Sequence, residues 1–182
     1  MNTPPRDASP SRRVTAPALS RLVGFAIDAA TYLIIPALLF PLGLLLSRRG
    51  VILTAPAVNA IGFALVIAPA TVWAAWWETR PRGATPGKRL RRLQVVGERT
   101  KALPSPRQAL LRNVIKIAVP WELGHTVALG LADAGNQVPV WLWALNAITY
   151  GWVLGNVVLL FLPSGQPVHD RLAGTLVART TT

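Results

Sequence analysis

Three stretches of this chain are almost free of charge. Between residues 22 and 46 the only charged residue is Asp28, and residues 51–77 and 138–162 carry none. Each run exceeds the roughly 18 apolar residues that mark a helix able to cross a bilayer. In hydrocarbon the backbone must satisfy its own polar groups, so runs of this kind fold as helices. Composition agrees: of 182 residues 52% are hydrophobic and 14% charged, whereas soluble domains are about 25% charged. A soluble enzyme and a disordered basic polypeptide are both excluded. The chain has no cysteine, which removes disulfides, thiolate zinc sites and iron–sulfur clusters.

The predicted fold class is an all-α integral membrane protein, a bundle of about four transmembrane helices with a basic cytoplasmic loop. Residues 1–20 hold four prolines and three arginines among serines and threonines, a composition that reads as a disordered cytoplasmic tail. The transmembrane domain is expected over 21–179, with spans at 22–46, 51–77, 114–134 and 138–162 and a tail end at 180–182. Residues 78–113 form the expected loop and carry ten basic residues: Arg80, Arg82, Lys88, Arg89, Arg91, Arg92, Arg99, Lys101, Arg107 and Arg112. Four more, Arg6, Arg12, Arg13 and Arg21, precede the first apolar run, and Arg171 and Arg179 follow the last span. Only Arg48 and Arg49 fall in the opposite turn. The positive-inside rule then places both termini and the loop in the cytoplasm of a cell-membrane protein.

The third span is the least regular, since 114–134 contains Lys116, Pro120, Glu122, His125 and Asp133. Gln108, Arg112 and Lys116 share one stripe, the pattern of a helix lying in the interface over 106–119. The segment is therefore expected to be broken at Pro120 or partly interfacial. A broken span is preferred over a re-entrant segment because it keeps Arg171 and Arg179 inside.

Ionisable groups inside apolar runs are expensive and are functional candidates by default. Asp28 is the sharpest, with Arg21 seven residues earlier on the same helix face. It reads equally as a protonatable relay or as an anion neutralised by a basic neighbour. Glu122 and His125, three apart, form a second candidate pair. Asn146, Thr149 and Asn156 on the last span are candidates for neutral oxygens lining the same ion or proton path. Gly83-Ala84-Thr85-Pro86-Gly87-Lys88 is one residue short of a phosphate-binding loop, and Arg89 replaces its Ser or Thr. No catalytic motif, metal site or cofactor is expected, so the chain is not read as an enzyme. Expected partners are the bilayer, anionic headgroups at the basic loop, and further copies or a larger membrane complex, because four short spans are few to enclose a pathway. Nucleic acid is not expected, since topology already accounts for the charge.

Taken together, these residues resemble the RDD family of small multi-pass membrane proteins. Arg21 and Asp28 match the family's Arg and first Asp. Gly83, Thr85, Gly87 and Lys88 match its Gly-x-Thr-x-Gly-Lys loop. His169, Asp170, Gly174 and Thr175 resemble its closing motif, with Asp170 as the second Asp. One departure is Arg92, where relatives tend to carry Gly. The resemblance implies transport of a small cation, proton or other ligand, or an accessory role in a larger membrane machine. It also places Asp170 and the Lys88 loop on one face, where a charge pair would clamp the tail beneath the bundle.

Overall fold

A computed structural model of the chain describes residues 15–180. Among these residues four helices are long and apolar enough to cross a membrane: Ala18–Arg48, Ala55–Glu78, Pro106–Asp133 and Val140–Phe161. Prolines shape three of them. In the first, α1 (Ala18–Tyr32) meets α2 (Ile34–Arg48) at Leu33, where Pro36 has no N–H for the Tyr32 carbonyl and its ring crowds that turn. In the second, α3 (Ala55–Gly62) and α4 (Ala68–Glu78) flank a π-helical turn, Phe63–Ile67. In the third, α6 (Pro106–Asn113) and α7 (Val119–Asp133) flank another, Val114–Ala118. Each π turn ends two residues before a proline, Pro69 or Pro120, and its wider winding takes up the missing N–H and the ring. The two π turns pack together, burying Val66 and Ile67 with Ile117 and Ala118 beneath Trp73 and Trp121. The fourth span, α8 (Val140–Phe161), packs chiefly on α7.

Pro120 thus does not break the third span. The helix runs unbroken from a Ser105 cap, whose side chain accepts from Gln108 N–H while Gln108 reaches back to Ser105 N–H. It begins at 106 rather than 114, because Arg112 and Asn113 turn inward to a buried partner instead of facing a lipid surface.

Nor is 78–113 simply a loop. It contains a short helix, α5 (Pro86–Leu90), the strand β1 (Leu93–Gly97) and the first turns of the third span. β1 pairs antiparallel with β2 (Thr175–Arg179), Val95 opposite Val177 and Gly97 opposite Thr175. A last helix, α9 (Val168–Ala173), turns into β2 at Gly174, whose φ of 62° suits glycine. Residues 15–20 of the expected tail belong to this cap: Thr15 bridges to Ala178, Ala16 N–H donates to Val177 O at 2.8 Å, and α1 starts at Ala18. Small residues here fit the free edge of the sheet, and Ala16 is buried with Leu93, Val95 and Val177. Residues 1–14 and 181–182 of the expected tails lie outside the described residues. The cap closes one end of the four-helix bundle, and the Arg48–Arg49 turn lies at the other.

Candidate functional site

Where the cap meets the spans, six buried charges alternate in sign. Arg21 on α1 pairs with Asp170 on α9 at 2.5 Å, and Asp170 with Arg112 on α6 at 2.7 Å. Arg112 reaches Glu78, the last residue of α4, at 2.7 Å, and Glu78 reaches Lys88 on α5 at 2.9 Å. Lys88 lies 3.7 Å from Asp28, which returns to α1. The five pairs run through five helices and begin and end on α1, whose backbone closes the ring, three cations against three carboxylates. All six residues are buried, with Asp28, Glu78 and Asp170 wholly so. Isolated buried charges would be ruinous, but here each one faces at least one of opposite sign and the sum is zero.

Neutral groups complete the ring. Asn113 Nδ2 donates to Glu78 Oε2 at 2.7 Å, Thr175 Oγ1 to Asp170 Oδ1 at 3.1 Å, and Arg21 to the Gly165 carbonyl. Asp170 lies outside the spans; burial opposes its ionisation, but Arg112 and Arg21 hold its carboxyl far below the usual range. Burial also pushes the neighbouring His169 down to about 3, against the pull of Asp170, so the imidazole is neutral.

The Gly83–Lys88 segment is explained by what it holds. Thr85 Oγ1 donates to Asp28 Oδ2 at 2.5 Å and Gly87 N–H to Oδ1 at 2.8 Å, while Lys88 Nζ donates to Thr85 Oγ1 at 3.0 Å. The segment resembling a phosphate loop therefore cradles a carboxylate of its own chain. Gly83 has φ 54°, and a Cβ there would lie 2.9 Å from Val95 O. At Gly87 a Cβ would stand 2.9 Å from Asp28 Oδ1 and strike the Gly24 carbonyl, so this close approach of α5 to α1 needs glycine. Arg92, by contrast, takes φ 53° without being glycine.

A second polar cluster lies deeper. Asn59 Nδ2 donates to Glu122 Oε2 at 3.0 Å, and His125 Nδ1 is 2.7 Å from Asn59 Oδ1. With the Asn59 amide oriented this way, Oδ1 is the acceptor and Nδ1 carries the proton. Trp121 stacks on the His125 ring at 4.3 Å, and its own Nε1 is buried without an acceptor. Glu122 has no cationic partner among the described residues. Along a helix rising 1.5 Å per residue, Glu122 is about 15 Å beyond Arg112, and Asp28 about 30 Å before Arg48. Taking the hydrocarbon core as roughly 30 Å, the charge ring sits at one edge and Glu122 and His125 near mid-depth.

The structure does not bring Asp28 to Glu122 and His125; the two clusters have separate partners. Two of the last-span candidates bond within α8 or to α9. Thr149 Oγ1 donates to Leu145 O at 2.8 Å, and Asn156 ties α8 to α9, donating to Trp152 O at 2.8 Å and accepting from Val168 N–H at 3.0 Å. Asn146 is half-buried on α8. Among the described residues no group of three or more His, Cys, Asp or Glu is placed to hold a metal ion. Sequence reasoning missed Glu78, Arg112 and Asn59. The available signal for Glu78 was its place as the acid that ends a charge-free run, next to a loop with ten basic residues.

Four membrane-length helices, locked to an extramembrane cap by a buried charge ring, define a multi-pass helical membrane protein. The model of the RDD family matches residues 15–174, most of the chain, and the protein belongs to that family. Comparison with curated proteins and with solved structures yields no match.

Proposed function

We propose that this protein is a non-enzymatic membrane carrier for a proton or small cation, with Glu122, His125 and Asn59 as the site that takes the ion. The observation that carries this reading is Glu122: a carboxylate near mid-depth, half-buried, with no cation to neutralise it among the described residues. Intramembrane acids of this kind commonly mark ion or proton pathways. His125, joined to Glu122 through Asn59, supplies a second titratable group for handing a proton on. The orphan Trp121 Nε1–H is a ready donor to a water on that route. Asp28 on this reading is an anchor for the cap, since Thr85, Gly87 and Lys88 already occupy its oxygens.

The cell membrane, with the capped end cytoplasmic, is the setting that the basic residues favour. Arg80 and Arg89 lie 4.1 Å over Trp76 and Trp77, the mixed aromatic and cationic belt of an interface. Four spans leave α2 with no buried residue, so a carrier would act as an oligomer. The same bare helix also favours a second reading, an accessory subunit whose spans dock in a larger complex.

The test is cation-driven proton movement in proteoliposomes of purified protein. Wild type should move protons and Glu122→Gln should not, at equal incorporation. No flux from well-folded wild type would defeat the carrier reading and leave the accessory one.

A further inference from the structure

Lys116 is a cation beyond the neutral ring. It lies one turn past Arg112 and has no carboxylate within 4 Å among the described residues. Its ammonium sits 4.5 Å from the Phe25 ring centroid, a contact that holds the charge without neutralising it. Lys116 also lines a cavity of about 230 Å³ between α1, the third span and α8. Arg21, Lys88, Arg112 and His169 also border the cavity, while Leu22, Phe25, Trp152, Val153 and Leu160 give it an apolar wall. Val153 is exposed on α8, so the cleft opens on its outer side, toward lipid.

We propose that this cleft holds one anionic phospholipid, its phosphate on Lys116 and an acyl chain along Trp152, Val153 and Leu160. The charge sets the choice. Half-buried Lys116 lies among other basic residues beside an apolar wall, a setting that calls for an anion, and the ring has no carboxylate to spare. Lys116 lies at the edge of the hydrocarbon core, within reach of a phosphate by snorkelling.

Native mass spectrometry of the full-length protein in detergent tests the proposal. Phosphatidylglycerol and phosphatidylethanolamine with identical acyl chains are added at equal concentration. Wild type should retain one phosphatidylglycerol in preference. Lys116→Gln should weaken that retention roughly fivefold, the ratio set by about 1 kcal/mol per basic side chain near a lipid surface, while Lys116→Arg keeps it. Val153→Trp, which fills the cleft from its open side, should displace the lipid with an unchanged thermal midpoint. Equal retention of the two lipids by wild type, or unaltered retention in Lys116→Gln or Val153→Trp, would overturn the proposal.

Discussion

Replacing Arg112 by Gln removes the cation that bridges Glu78 and Asp170, each at 2.7 Å. Removing one partner of a buried ion pair costs about 3–5 kcal/mol because the other charge is stranded. Here neither carboxylate is left alone: Glu78 keeps Lys88 at 2.9 Å and Asp170 keeps Arg21 at 2.5 Å. That points to the low end, about 3 kcal/mol. In a chain of this size such a loss lowers the unfolding midpoint by about 6–12 °C. The ring makes a sharper prediction for the double variant Arg112→Gln/Glu78→Gln. Two neutral pairs then remain, Arg21 with Asp170 and Lys88 with Asp28, and no net charge is stranded. The double variant should therefore be more stable than Arg112→Gln alone. Thermal unfolding in detergent, followed by tryptophan fluorescence, reads both. A drop below about 3 °C for the single variant, or additive losses in the double, would refute the ring as the element that holds the cap.

Gly87→Ala should destabilise by about 1–3 kcal/mol, because its methyl group meets the Gly24 carbonyl and Asp28 Oδ1; the same unfolding assay reads it. Arg92→Gly should instead stabilise by about 0.5 kcal/mol or more, relieving a left-handed backbone at φ 53°, and a lowered midpoint would show that the Arg side chain outweighs the strain. Acid should loosen the cap in two stages. His169 is held neutral down to about 3, so the unfolded chain takes its proton first below about 6.5 and stability falls from there. Asp170, with its folded pKa depressed, contributes stability that is present above about 3.9 and lost as pH falls further. His169→Asn should flatten the midpoint between pH 6.5 and 5 and leave the loss below 4; an unchanged slope would remove His169 as its source.

The four spans were legible because a charge-free run longer than a bilayer permits little else. Their ends were less so. Charge counting starts the third helix at 114, but Arg112 is buried by partners drawn from α4 and α9, which no local pattern in 106–119 reveals. The small sheet was illegible for a related reason: β1 is five residues long and its partner lies beyond two spans, so neither periodicity nor a turn signal announces it. Pro120 reads as a break and is instead absorbed, like Pro69 in the second span, by a π turn, a distinction that depends on helix packing. At the site, Arg21, Asp28, Lys88 and Asp170 were visible as motif residues, while Glu78, which joins them, carried no motif. Asp28 looked intramembrane because the apolar run starts at 22; a helix of 31 residues is longer than the core, and the surplus leaves Asp28 at its edge.

On the proposed function the two clusters have separate roles: the ring holds the cap, and Glu122 with His125 carries the ion. Proton flux per folded molecule in proteoliposomes, measured side by side for Asp28→Asn and Glu122→Gln, tests it most directly. The account predicts that Asp28→Asn lowers the unfolding midpoint but conducts like wild type, while Glu122→Gln folds normally and is silent. Flux lost in well-folded Asp28→Asn and retained in Glu122→Gln would contradict it.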